Sequence, residues 1–199
     1  TYPGCQWDVE SNLYSFSCAP NPAWTRTYSR QAEIWDYLRL CAEKFQLGPH
    51  LRYRHEVRSA CWDEDAMRWR IESSGGSFSA DVLIGAVGPL SEPSLPAIPG
   101  LDAFPGPNFH SATWDHRIDL AGKRVAVIGT GASAIQIVPR LQPQVARLHL
   151  FQRTPPWVLP HRDRPVRAAA QLPYRTVPGL QPPVRPSVHW SRDPVVTSV

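Results

Sequence analysis

The chain has 199 residues, 42% of them hydrophobic and 19% charged, with 22 Pro against 12 Gly, eight Trp, four Cys and a single Met, at position 67. That length holds one domain or parts of two, and the composition is that of a globular protein, which excludes disorder over most of the chain. The formal charge of +4 is concentrated rather than spread, because residues 155–199 carry six Arg against two Asp, together with ten of the 22 Pro.

No run approaches the roughly 18 apolar residues of a membrane helix, and no basic start leads into an apolar run with a small-residue cleavage site. The expectation is a cytoplasmic protein with no membrane span and no signal peptide. With its one Met at position 67, the chain reads as an excerpt of a longer protein. Cys5, Cys18, Cys41 and Cys61 lack metal or redox spacing, so free thiols are expected rather than disulfides or a zinc set. His50, His55, His116, His149, His161 and His189 are scattered and form no metal set. No aromatic and basic interleaving supports a nucleic-acid partner.

In chain order, residues 1–28 are turn-rich and aromatic, with only 13–17 alternating like a strand. After Ser29, the residues Ile34, Tyr37, Leu38, Cys41, Ala42 and Phe45 recur at three- and four-residue steps, an amphipathic helix closed by Gly48-Pro49. Residues 51–62 and 67–72, split by Asp63-Glu64-Asp65 and followed through Gly75-Gly76 by Phe78, read as an antiparallel meander. Residues 82–87 are continuously apolar and end in Gly88, as a strand buried on both faces of a parallel sheet would be. A Pro-rich connector then runs to Gly122. The tail from Pro155, rich in Pro and Arg, is expected to connect rather than to bury a core of its own.

A new unit opens at Lys123. Arg124-Val125-Ala126-Val127-Ile128 reads as a buried strand, Gly129-Thr130-Gly131-Ala132-Ser133-Ala134 as a tight turn, 135–141 as a helix and 148–151 as a second strand. A GxGxxA run between strand and helix has the setting of a dinucleotide site. Gly129 permits the turn, Gly131 lets the backbone approach a pyrophosphate, Ala134 allows close packing, and the helix N-terminus offers N–H groups to phosphate. The other reading is a tight turn with no ligand. Where an NAD site would carry a carboxylate, this strand ends Phe151-Gln152-Arg153-Thr154, which favours NADP because a planar cation can pair with the 2′-phosphate. Ser133 has no partners arranged for a nucleophilic triad and suits pyrophosphate contact. A dinucleotide half that follows the returning strand of another sheet suggests one dinucleotide domain inserted in another. The fold class is therefore α/β, with parts of two Rossmann-like dinucleotide-binding domains.

The run Phe104-x-Gly106-x-x-x-His110-x-x-x-Trp114-Asp115 resembles, at every fixed position, the FxGxxxHxxxW(P/D) fingerprint of type I Baeyer-Villiger monooxygenases. Tyr2-Pro3-Gly4 with Asp8-Val9-Glu10-Ser11 is similar to that family's YPGxxxD(V/I/T)ES segment, and the segments 129–136 and 152–154 also look like the family's. The resemblance covers residues 1 to about 165.

It implies part of an enzyme that uses FAD and NADPH, activates O2 at the flavin and inserts one oxygen atom into a small-molecule ketone to give an ester or lactone. Asp8 would lie beside the flavin and hold an active-site arginine, with Tyr14 and the backbone around Val57 also touching FAD. Gln6, Trp7 and Asp8 would border the nicotinamide. Thr130, Gly131, Ala132, Ser133, Ala134 and Gln136 would bind the NADPH pyrophosphate, and Arg153 with Thr154 its 2′-phosphate. His110 would be structural. The division implied is a partial FAD-binding domain over 1–90, a linker with the motif over 91–122, a partial NADPH-binding domain over 123–165, and a poorly ordered tail over 166–199.

The chain departs from the family at Gln6-Trp7, where Arg-Cys is usual, and at Val87, where a Thr is usual. Pro173, Pro182, Pro183 and Pro186 are expected to break the family's next helices. The FAD fingerprint is expected upstream of Thr1 and the arginine beyond Val199, so the 199 residues alone are expected to be inactive. Two rival readings are a flavin monooxygenase that hydroxylates nitrogen or oxidises another heteroatom, and a catalytically silent nucleotide-binding remnant.

Overall fold

The computed structural model describes residues 1–88, 90, 92–160 and 162–176. The chain divides into two compact units, one formed by Thr1–Cys41 with the chain from Ser94 onward, the other by Ala42–Pro93.

In the first unit the aromatic N-terminal segment wraps the start of helix α1 (Gln31–Lys44). Only Tyr37 and Cys41, one turn apart, are buried on that helix, and with Ala19 and Trp24 they make a small core. The Tyr37 hydroxyl accepts the Phe16 N–H at 2.7 Å and donates to the Ala19 carbonyl at 2.8 Å. Burial pushes its pKa up to about 12. Trp24 Nε1 donates to Ser15 Oγ at 3.0 Å, and the Ser11 and Ser29 hydroxyls meet at 2.7 Å. The buried face is narrower than the periodicity predicts, since Leu38 and Phe45 stay 42% and 43% exposed. The helix also stops before Gly48-Pro49: Gln46 takes φ +52°, and the Leu47 N–H returns to the Ala42 carbonyl at 2.9 Å, a left-handed C-terminal stop. Instead of a strand over 13–17 there is a 3-10 turn, Ser11–Leu13, and a single bridge between Phe16 and Ala19.

The same unit holds strand β4 (Arg124–Ile128), helix α2 (Ala132–Leu141) and strand β5 (Arg147–Phe151). β4 and β5 pair in parallel from Arg124 opposite Arg147 to Ile128 opposite Phe151, and α2 buries Ile137 and Leu141. β4 is not buried on both faces as its sequence suggests. Val125 and Val127 are half-buried while Arg124, Ala126 and Ile128 are exposed, because the described sheet has two strands and one covered face.

Part of the Pro- and Arg-rich tail is also structured. Residues 164–166 lie antiparallel to 25–27, with Thr27 N–H on the Arg164 carbonyl at 2.9 Å and Val166 N–H on the Thr25 carbonyl at 2.8 Å. Arg26 and Asp163 form an ion pair at 2.6 Å. A helix, α3 (Ala168–Thr176), then runs through Pro173, contrary to the expectation that this proline would break it. A proline removes one N–H and one intrahelical bond, and here Gln171 Nε2 also ties the helix to the Trp24 carbonyl at 2.9 Å. The expectations for Pro182, Pro183 and Pro186 fall outside the described residues.

In the second unit β1 (Val57–Asp63), β2 (Arg68–Ser73) and β3 (Gly76–Ala80) form the expected meander. Trp62 and Trp69 face each other across β1 and β2 with ring centroids 5.6 Å apart. Asp63 closes the first turn, accepting the Asp65 and Ala66 N–H groups and pairing with Arg70 at 2.5 Å. The Ala66 N–H and Arg70 hold its carboxyl below the usual value. Residues 82–87 are not a strand: they pair with nothing among the described residues, and Ile84 and Val87 are 83% and 85% exposed. A parallel strand needs a neighbour on which to place its N–H and C=O groups, and apolar composition does not supply one.

Candidate nucleotide site

The turn between β4 and α2 has the shape its glycines allow. Gly129 takes φ +107°, a conformation that side chains rarely adopt, and its N–H donates to the Phe151 carbonyl at 2.9 Å, lashing the turn to the end of β5. Gly131 is extended and caps α2 with no side-chain hydrogen bond, so the first N–H groups of the helix, at Ala132, Ser133 and Ala134, have no side-chain cap. A Cβ added at Gly129 or Gly131 would meet nothing within 4 Å. The space before the turn is therefore open and faced by backbone donors and a positive helix end, as an anionic ligand requires. Arg153 and Thr154 follow β5 and are exposed, and neither makes an ion pair among the described residues.

Against α2 lies the N-terminal segment. Tyr2-Pro3-Gly4-Cys5 is a tight turn closed by the Cys5 N–H on the Tyr2 carbonyl at 3.1 Å, with Gly4 at φ +82°, the arrangement that Pro-Gly favours. A Cβ on Gly4 would stand 2.7 Å from the Gln136 carbonyl, so glycine is what lets the two backbones meet. The Gln136 side chain closes the contact. Its Oε1 accepts from the Gln6 N–H at 3.2 Å and from the Tyr2 hydroxyl at 3.1 Å, while Nε2 donates to the Gln6 carbonyl at 2.9 Å. Burial pushes the Tyr2 phenol's pKa up, against the hydrogen-bonding influence of Ser133 beside it. On its other side Gln6 bridges Arg30, and its side chain donates to the Tyr28 carbonyl at 2.9 Å.

Next to Gln6, Trp7 stacks on Tyr14 with centroids 3.4 Å apart and planes at 21°, and its N–H donates to the Ser29 carbonyl at 3.0 Å. Trp7 Nε1 is buried and has no hydrogen-bond partner among the described residues, a condition that costs about 1–3 kcal/mol. Asp8 follows and is exposed. The structure thus brings Gln6, Trp7, Asp8, Tyr14, Ser133 and Gln136 into one unit with the glycine turn. Val57, the other residue expected at a flavin, begins β1 in the second unit and is exposed. The resemblance implies a pyrophosphate role for Gln136, whose amide is engaged by Tyr2 and Gln6. In sequence Tyr2 stands only as part of a motif; the Pro-Gly turn signals the positive φ at Gly4, but nothing signals its partner.

The run 104–115 holds its own loop. The Phe104 ring lies over Gly106, where a Cβ would stand 2.7 Å from a ring carbon. His110 Nδ1 accepts the Ala112 N–H at 3.1 Å and so caps a 3-10 turn, Ser111–Thr113. Phe109 and Trp114 pack edge to face at 5.1 Å. Asp115 binds Arg117 through both oxygens, at 2.8 and 2.7 Å, and Arg117, by side chain and N–H, holds the Asp115 carboxyl at about 2. His116 Nε2 lies 2.8 Å from the Thr1 carbonyl.

Among the described residues no group of His, Cys, Asp or Glu could hold a metal, and no helix is long and apolar enough to cross a membrane. The four cysteines are free.

A family model described as flavin-binding monooxygenase-like matches residues 7–165. A Baeyer-Villiger monooxygenase of Streptomyces coelicolor is 58% identical over 178 residues, which are 89% of this chain and 34% of that protein. Among solved structures, cyclohexanone monooxygenase from Rhodococcus sp. Phi1 bound to NADP+ superposes with a TM-score of 0.77 at 39% identity, covering 87% of this chain and 34% of that one. OTEMO in complex with FAD and NADP gives 0.80 at 32% identity over 88% of this chain and 36% of its own. The chain thus spans about a third of the length of the relatives it matches. The matched residues take in the glycine turn and the run 104–115, and the chain belongs to the flavin-binding monooxygenase-like family.

Proposed function

We propose that this chain is the part of an FAD- and NADPH-dependent Baeyer-Villiger monooxygenase that binds NADPH and presents its nicotinamide to the flavin. The observation that carries the reading is the open turn of Gly129 and Gly131, with the uncapped helix α2 behind it and Arg153 beside it. Its donors fit an NADP-type ligand. Backbone N–H groups at the head of α2 suit the pyrophosphate, and Arg153 with Thr154 suits the 2′-phosphate. Gln6, Trp7 and Asp8 border the nicotinamide in this reading, Tyr14 and the backbone around Val57 touch FAD, and Asp8 orients an arginine supplied from beyond residue 199. FAD held there would supply hydride-accepting and dioxygen-activating chemistry, by which one oxygen atom of O2 would enter a ketone to give an ester or lactone.

The chain's own residues divide that work. The glycine turn binds and orients the reductant, Trp7 and Tyr14 cover one side with aromatic surface that keeps water out, and the Asp8 carboxylate holds a cation where negative charge develops. Residues 1–90 then belong to an FAD-binding domain, 91–122 to a linker, 123–165 to an NADPH-binding domain, and 166–199 to a tail. The protein works in the cytoplasm. The intact protein that includes these residues is expected to consume NADPH faster when a cyclic ketone is added and to form the lactone. Oxidation of amines or sulfides with no ketone turnover would favour the heteroatom-oxidising rival. The 199 residues purified alone are expected to carry no yellow flavin and to oxidise no NADPH, checked by visible absorbance and by the decline at 340 nm; stoichiometric flavin in that sample would refute this.

A further inference from the structure

The Gln136 side chain sits between the two parts of the nucleotide site. It is on α2, one turn past the N–H groups that face the open glycine turn, and its amide grips both the N–H and the C=O of Gln6, the residue next to Trp7. One side-chain amide making both bonds to a single residue's backbone reproduces the pairing of a neighbouring strand, so the main chain just before Trp7 is fixed to the helix. On the far side, the bridge to Arg30 and the Trp7 N–H on Ser29 fix the same stretch to the core unit. Gly4 provides the close approach and the Tyr2 hydroxyl occupies the rest of the Gln136 oxygen. Ser133, a residue of the turn itself, lies one turn before Gln136 on α2. The head of α2 is therefore joined through Gln136 to Gln6 and the neighbouring Trp7.

We infer that Gln136 is a positioning residue rather than a phosphate ligand: it ties the segment bearing Trp7 and Asp8 to the helix of the glycine turn, so that occupancy of the turn by the phosphates is transmitted to Trp7. The first half of the statement rests on hydrogen bonds alone; the second also rests on the proposed NADPH site. Phosphate held at the head of α2 bears on the helix that carries Gln136 one turn on, and Gln136 grips the backbone of Gln6. A change at the turn thus reaches Gln6 without a nicotinamide touching Trp7.

Adenosine 2′,5′-bisphosphate separates these effects, because it carries the 2′- and 5′-phosphates but no nicotinamide. The Trp7 indole N–H resonance, assigned with Trp7→Phe, is followed while the ligand is titrated to saturation, with the amides of residues 129–134 reporting binding. The resonance is expected to shift in the unsubstituted protein and to stay in place in Gln136→Met, which keeps the length of the side chain and loses its hydrogen bonds. Tyr2→Phe, which removes one hydroxyl, is expected to reduce the shift by about half. Without ligand, hydrogen exchange at residues 5–8 is expected to rise at least about tenfold in Gln136→Met, with β4 and β5 unchanged. A Trp7 shift of full size in Gln136→Met would overturn the transmission, and unchanged exchange at 5–8 would overturn the tie. Failure of the ligand to move the 129–134 amides would count against the NADPH site and against transmission, while the exchange comparison still decides the tie.

Discussion

Gly4 shows how much of this site depends on single residues. Its φ of +82° and the 2.7 Å that would separate a Cβ from the Gln136 carbonyl oppose any side chain. Gly4→Ala is expected to cost about 1–3 kcal/mol of stability from backbone strain together with displacement of α2, read as a lower urea midpoint. The opposite case is Arg153, exposed and without an ion pair among the described residues. Its removal should leave folding nearly unchanged, since surface substitutions usually fall within about 0.5 kcal/mol. Arg153→Ala is nevertheless expected to weaken NADP+ binding by about ten- to a hundredfold, the value of a charge-assisted hydrogen bond, with NAD+ affinity altered less than about threefold. Equal losses for both nucleotides in a titration would show that Arg153 does not read the 2′-phosphate.

At the scale of elements, what the sequence revealed and what it concealed follow one physical rule. β4, α2, β5 and the meander were legible because periodicity and glycine spacing are local properties of the chain, and each element found its partner nearby in sequence. Residues 82–87 misled because a continuous apolar run says that a strand would be buried but not what it pairs with. The dinucleotide turn and the motif at 104–115 were legible as residue patterns, whereas the contact of Gln136 with Gln6 spans 130 positions and left no local trace. The same holds for the pairing of 164–166 with 25–27. There, burial pushes the Asp163 pKa up, but Arg26, Gln6 and the Tyr28 N–H outweigh it and hold it below the ordinary carboxylate value. A lowered folded pKa means that this contribution is complete above the unfolded value of about 3.9 and is lost as pH falls through the folded one. Asp163→Asn is therefore expected to lower stability by about 1 kcal/mol near pH 7 and by a steadily smaller amount as pH falls below about 3.9. A constant difference between the two unfolding curves across that range would contradict the assignment.

At the scale of the whole molecule, the two units carry the reading unequally. The unit with the glycine turn holds Gln6, Trp7, Asp8 and Arg153, and Val57 lies in the meander unit. The tail that carries the +4 charge is partly docked in the fold, where Arg26 holds its Asp163 and Gln171 of α3 reaches the Trp24 carbonyl. In the proposed function the glycine turn feeds reducing equivalents to an oxygen-inserting flavin. The decisive measurement supplies the intact protein with NADPH, a cyclic ketone and 18O2 and weighs the lactone. One 18O atom per lactone molecule is the predicted result; a product that carries oxygen from water instead, or NADPH consumption with no labelled product from any ketone tried, would contradict it.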